Sequence, residues 1–196
     1  NLSCAFCPGT RREKQRMTPG PFSLLAPQPR PYTGCFYSHL MGEPLLHPDL
    51  PRFLELAGQN GFKVILTTNG TLLSKKREIL RNAPGLHKIN VSLHAFEAND
   101  LSVPFDTYLR DCFSFGKSLE GQKLVVYRLW NKGGAEQLNA SILHHMEAFF
   151  PKPWKEVRQG YAIGNRVFLE YGDKFDWPDL SAPEGEAQVF CYGLKD

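Results

Sequence analysis

Cys35-Phe36-Tyr37-Ser38-His39-Leu40-Met41-Gly42-Glu43-Pro44 reads as a half-buried strand that runs without a break into a turn bearing glycine, an acid and proline. Downstream the pattern returns. Phe62 to Leu66 is a compact apolar run ending in Thr67-Thr68-Asn69-Gly70; Ile89-Asn90-Val91-Ser92-Leu93 leads to His94; Leu124 to Leu129 carries Arg128 and meets Asn131; Val167 to Tyr171 is a fifth strand. Between them the apolar residues recur at helical spacing: Leu50, Phe53, Leu54 and Ala57 up to a stop at Gly61, Ile79 and Leu80 after Ser74, Phe105 to Leu119, and Leu138 to Phe149. A short proline-limited helix is expected after Thr18-Pro19. Strands alternating with crossover helices at roughly 30 residues per unit imply an α/β fold with a parallel sheet wrapped by helices. A doubly wound sheet fits that alternation equally well. The polar strand ends favour a barrel-like arrangement, because (β/α) barrels handle their ligands at the C-terminal ends of the strands.

Composition bounds what such a domain does. The 196 residues are 42% hydrophobic and 12% aromatic, enough for one sizeable core, and 23 basic against 20 acidic residues leave a net charge of +3. The basic run Arg11-Arg12-Glu13-Lys14-Gln15-Arg16 is short and interrupted, so no nucleic-acid partner is expected. No apolar run is long enough to span a bilayer, so no membrane partner is expected. Five cysteines, an odd number without a small-domain spacing, argue against a disulfide framework and for a reducing, cytoplasmic location.

At the start of the chain stands Asn1-Leu2-Ser3-Cys4-Ala5-Phe6-Cys7. Two cysteines separated by two residues can both reach one metal or cluster, and the pair alone is equally readable as half a zinc site or a redox dithiol. With Phe6 before the second cysteine, the run resembles the cluster loop of the radical S-adenosylmethionine (SAM) enzymes, C-x3-C-x2-C, cut off just after its first cysteine. Met41-Gly42-Glu43-Pro44 is similar to that family's G-G-E-P motif, with Met41 in place of the first glycine. Thr67-Thr68-Asn69-Gly70 resembles its T-N-G segment, and Ser92-Leu93-His94 the ribose-contacting end of its fourth strand.

The resemblance implies a partial (β/α)6 radical SAM barrel over residues 1–172, with parallel strands and the first strand and first cluster cysteine missing. It implies Cys4 and Cys7 as ligands of a [4Fe–4S] cluster whose fourth iron is left for SAM. It further implies Gly42, Glu43 and Pro44 at the SAM amino group, and Asn69 and Ser92 among the cofactor contacts. Arg128, a guanidinium on an apolar strand, needs a buried partner; the SAM carboxylate and an internal acid both qualify. The implied activity is reductive cleavage of SAM to a 5′-deoxyadenosyl radical that abstracts hydrogen from a substrate, with a flavodoxin or ferredoxin type reductant as partner. His94 is expected to be a loop residue without a catalytic role, and Cys35 and Cys112 to be inert core residues.

Residues 173–196 read as a polar, proline-bearing linker and the start of a C-terminal extension. Cys191-Tyr192-Gly193-Leu194 is similar to the entry of the SPASM or twitch extensions, which implies Cys191 as a ligand of an auxiliary iron–sulfur cluster and favours a peptide or protein side chain as substrate. Two rival classes are a non-catalytic zinc-binding or interaction module built on Cys4 and Cys7, and a doubly wound nucleotide-binding enzyme. The second requires a G-x-G-x-x-G after a strand, and the sequence contains none.

Overall fold

The structure, a computed structural model, describes residues 2, 4, 7, 13, 15–38, 42–99 and 103–174. In chain order its elements are α1 (Pro19–Leu25), β1 (Cys35–Ser38), a 3-10 turn (Pro44–Leu46), α2 (Leu50–Gln59), β2 (Lys63–Thr68), α3 (Leu73–Asn82), β3 (Leu86–Ser92), a 3-10 turn (Leu93–Ala95), α4 (Phe105–Ser118), β4 (Leu124–Lys132), α5 (Asn139–Phe149), β5 (Lys155–Val157), β6 (Gly160–Gly164) and β7 (Val167–Asp173). They form one sheet in the order β1-β2-β3-β4-β7-β6-β5.

Strands β1 to β4 and β7 are parallel, and the first four lie side by side in sequence order. A doubly wound sheet reverses its order at a switch point, whereas a sequential order is the one a (β/α) barrel uses. Period-two alternation then divides the side chains between two faces. Val64, Leu66, Ile89, Val91, Val125, Tyr127, Leu129, Val167 and Leu169 are all buried and share one core with the helix residues Leu54, Leu80, Leu109, Phe113, Ile142 and Met146. The Tyr127 hydroxyl donates to the Cys112 carbonyl of α4 at 2.8 Å, which fixes this as the helix-covered face. Fully burying one such aromatic or aliphatic side chain stabilises the fold by about 1.5–3 kcal/mol. Registered across the opposite face are Thr67, Asn90, Val126 and Phe168, then Ser92, Arg128 and Glu170. That face carries the polar residues Thr67, Asn90, Ser92, Arg128 and Glu170 beside Val126 and Phe168, where its partner is apolar.

The expectation of parallel strands needs one correction. β5 and β6 form an antiparallel hairpin, and β6 is antiparallel to β7. Two-residue loops, Arg158-Gln159 and Asn165-Arg166, connect them, and Arg166 adopts φ +64°, the left-handed conformation that tight hairpins demand. Gly160 has φ +146°, and a Cβ there would collide with the Leu169 carbonyl. These strands are three and five residues long, too short for hydrophobic alternation to announce them.

Candidate cofactor site at the strand ends

Beyond β1 the chain turns at Gly42, whose φ of +99° requires glycine and whose missing Cβ faces open space. Glu43 follows in extended conformation, and Pro44 opens the 3-10 turn. Both Glu43 carboxylate oxygens are engaged: Oε1 accepts from the Leu45 N–H at 3.0 Å and Oε2 from the Asn69 N–H at 2.9 Å. The second bond ties the end of β1 to the end of β2. Burial raises the Glu43 carboxyl above its ordinary range, against the opposing pull of the Asn69, Leu45 and Thr68 hydrogen bonds.

Asn69 is held from every side. Its carbonyl accepts the Tyr108 hydroxyl of α4 at 2.8 Å, and its Oδ1 accepts the Thr71 N–H at 3.0 Å and the Thr71 hydroxyl at 2.7 Å. Gly70, at φ +86°, donates its N–H to Thr68 Oγ1 at 3.1 Å, and a Cβ on it would lie 2.8 Å from Cys112 Sγ. The Thr-Asn-Gly segment is thus a rigid turn whose side chain serves the turn itself. Cys112 is fully buried and burial pushes its thiol up, as expected of an inert core cysteine; Cys35 is half-buried.

Ser92 ends β3 in register with Arg128, and its side chain makes no capping hydrogen bond to the turn that follows. Arg128 has found the internal acid: its Nε lies 3.3 Å from Glu170 Oε2, its guanidinium sits 4.1 Å from the centre of the Trp130 ring, and Lys88 approaches the same carboxylate at 3.7 Å. His94 Nδ1 lies 3.2 Å from the Arg128 carbonyl and 3.3 Å from the Trp130 N–H, so the half-buried ring bridges the turn after β3 to β4, and burial lowers its pKa.

The cysteine loop reaches the same rim. The Cys7 N–H donates to the Cys4 carbonyl at 2.9 Å, and Cys4 Sγ accepts from Asn99 Nδ2 at 3.1 Å, a contact between residues 95 apart in sequence. Both thiols are free, Cys4 half-buried and Cys7 exposed. A cleft of about 670 Å³ runs from Gly42 and Glu43 along β1 between α1 and α2, away from Ser92 and Arg128. Sequence reading missed Asn99, Glu170 and Lys88 as site residues and treated Tyr108 as one more position of an apolar helix stripe. Only the polar identity of Lys88 and Glu170 inside strands signalled them. Cys191 lies outside the described residues.

No known family profile matches the chain. It is 35% identical over 100 residues to a probable GTP 3′,8-cyclase of Sulfurisphaera tokodaii, covering 50% of this chain and 32% of that protein. It is 27% identical over 153 residues to the Fe-coproporphyrin III synthase of Methanosarcina barkeri, covering 76% of this chain and 36% of that protein. In fold it is similar to SuiB of Streptococcus suis, solved bound to S-adenosylmethionine, at a TM-score of 0.56 and 18% identity, covering 76% of this chain and 36% of SuiB. These similarities in sequence and fold support the resemblance of its motifs to those of radical SAM enzymes. The chain spans about a third of the length of these relatives.

The donor chemistry of the loop fits the cluster that this resemblance implies: two free thiols in one short turn, one of them already receiving an N–H donor on its sulfur, are soft ligands of the kind iron–sulfur clusters take. None of these relatives is named as a zinc-binding module. Among the described residues no helix is long and apolar enough to cross a membrane.

Proposed function

We propose that this chain is the SAM-cleaving part of a radical SAM enzyme, with Cys4 and Cys7 among the ligands of a [4Fe–4S] cluster. The observation that carries the reading is one of assembly: Gly42-Glu43 and Asn69 follow β1 and β2, Ser92 ends β3 and Arg128 lies beside it within β4, four strands in sequence order, and Cys4 contacts Asn99 beyond the turn after β3. When bound, the cluster supplies the electron that breaks a carbon–sulfur bond of SAM, releasing methionine and a 5′-deoxyadenosyl radical.

The chain's own residues bind and orient SAM. Because both Glu43 oxygens already accept backbone N–H groups, Glu43 shapes the turn, and the uncovered backbone at Gly42 and Glu43 receives the SAM amino group. Pro44 fixes that turn and Asn69 closes it. Ser92 offers its hydroxyl to the ribose. Arg128, neutralised on its Nε side by Glu170, offers its Nη edge to the SAM carboxylate.

The electron comes from a flavodoxin or ferredoxin type reductant in the cytoplasm, and the radical abstracts hydrogen from a peptide or protein side chain. The peptide reading is supported by the likeness of Cys191 and its neighbours to a SPASM or twitch entry, and by the fold similarity to SuiB, which has been solved with its precursor peptide SuiA. On this view residues 1–172 are the barrel part and 173–196 lead into a domain with an auxiliary cluster. Total iron in the full-length protein should then exceed four per chain and fall in Cys191→Ala; unchanged iron contradicts the auxiliary site.

SAM binding to the reconstituted protein, followed by equilibrium dialysis, tests the core of the proposal. Ser92→Ala and Arg128→Met should each weaken SAM binding about tenfold, the equivalent of 1.4 kcal/mol, while iron content stays at the wild-type level. Wild-type affinity in both variants would overturn the assigned contacts.

A further inference from the structure

Asn99 stands four residues beyond the turn that ends β3, and its side-chain amide is already aimed. Nδ2 donates to the Ala95 carbonyl at 2.7 Å and to Cys4 Sγ at 3.1 Å, while the Asn99 backbone N–H donates to the Phe96 carbonyl at 3.2 Å. A carbonyl can only accept, so the bond to Ala95 decides which end of the amide faces the cysteine loop: the nitrogen. Both hydrogens of the amide are thereby spoken for, one by the turn and one by sulfur. An anchored neutral N–H donor on a thiolate is a device for tuning a metal centre, since hydrogen bonds to ligand sulfurs set cluster potentials.

We propose that Asn99 is a positioning and tuning residue of the cluster: its amide N–H, held by Ala95, donates to Cys4 Sγ and favours the reduced, more negative state. The inference rests on the cluster reading of Cys4 given above. Reduction adds one negative charge to the cluster, and an N–H dipole pointed at a ligand sulfur stabilises the added charge more than it stabilises the oxidised state. Removing the donor therefore makes reduction harder. No bond is made or broken in this role.

The test is a redox titration of the anaerobically reconstituted full-length protein, following the reduced cluster by electron paramagnetic resonance, with iron determined on the same samples. Relative to wild type, Asn99→Ala should lower the midpoint potential, and a tenfold change in the reduction equilibrium corresponds to 59 mV for one electron. Asn99→Asp, which keeps the shape but replaces the donor with a carboxylate, should lower it further. Full iron with unchanged potentials in both variants overturns the inference while leaving the cluster reading intact. Loss of iron from both assigns Asn99 to holding the loop and overturns the tuning role. A wild-type protein that takes up no four-iron cluster overturns the function proposed above, and this inference with it.

Discussion

Glu43 is a carboxylate whose surroundings pull in opposite directions. Burial favours its neutral form, while N–H groups of Leu45 and Asn69 at 3.0 and 2.9 Å favour the charged one, and burial prevails. The folded state therefore holds the proton more tightly than the unfolded state does. Stability from this group is fully present below the ordinary value of 4.5 and is lost as the pH rises through the raised folded value. Glu43→Gln removes that titration, so the stability of wild type relative to the variant, measured by urea unfolding across pH, should shrink as pH rises above 4.5; a gap that widens with pH contradicts the assignment. Glu170 presents the reverse problem, one carboxylate shared by Arg128 and Lys88 with about a fifth of its side chain exposed. Glu170→Gln leaves two cations facing each other at half-burial and should cost about 2 kcal/mol, between the values for surface and buried pairs. An unchanged urea midpoint would mean the cluster contributes nothing to the fold.

At the scale of elements, the rim is held by contacts that cross between them. The Asn69 carbonyl reaches Tyr108 in α4, its N–H reaches Glu43 after β1, and Gly70 leaves room for Cys112. Tyr108→Phe deletes one hydroxyl and strands a carbonyl, which should cost about 1–2 kcal/mol and loosen the turn. Gly70→Ala should cost more than about 1 kcal/mol, because φ is +86° and the new methyl meets Cys112 Sγ. Wild-type urea midpoints in both variants would contradict the clamp. This is also where sequence reading reaches its limit. Helical spacing finds α4 and includes Tyr108 in its apolar stripe, but periodicity reports only that a residue faces inward, and what its hydroxyl meets 39 residues away is a tertiary fact. Strands β1 to β4 and β7 are legible because each is a run of apolar residues between turn residues. The hairpin of β5 and β6 is not, since three- and five-residue strands with glycines at both ends of β6 carry no period to read. The motif residues Gly42, Glu43, Asn69 and Ser92 are legible as chemistry that a core does not want, whereas the partner Arg128 chooses among two carboxylates is decided by the register that brings Glu170 beside it.

In the molecule as a whole, one sheet is apolar on the face its helices cover and bears its polar residues on the other, beside Val126 and Phe168. Five parallel strands carry their chemistry-bearing residues toward one end. Such a division suits a domain that packs a core on one side and handles a polar ligand at its strand ends, and the cysteine loop meets that rim at Asn99. The central claim is that this rim cleaves SAM. It is tested most directly by quantifying 5′-deoxyadenosine formed from SAM by the anaerobically reconstituted, chemically reduced full-length protein, beside Cys4→Ala and Cys7→Ala. The account predicts slow formation of 5′-deoxyadenosine by the wild type without added substrate, and none by either cysteine variant. Equal formation by the cysteine variants, or none by a wild type carrying its full four-iron cluster, would contradict it.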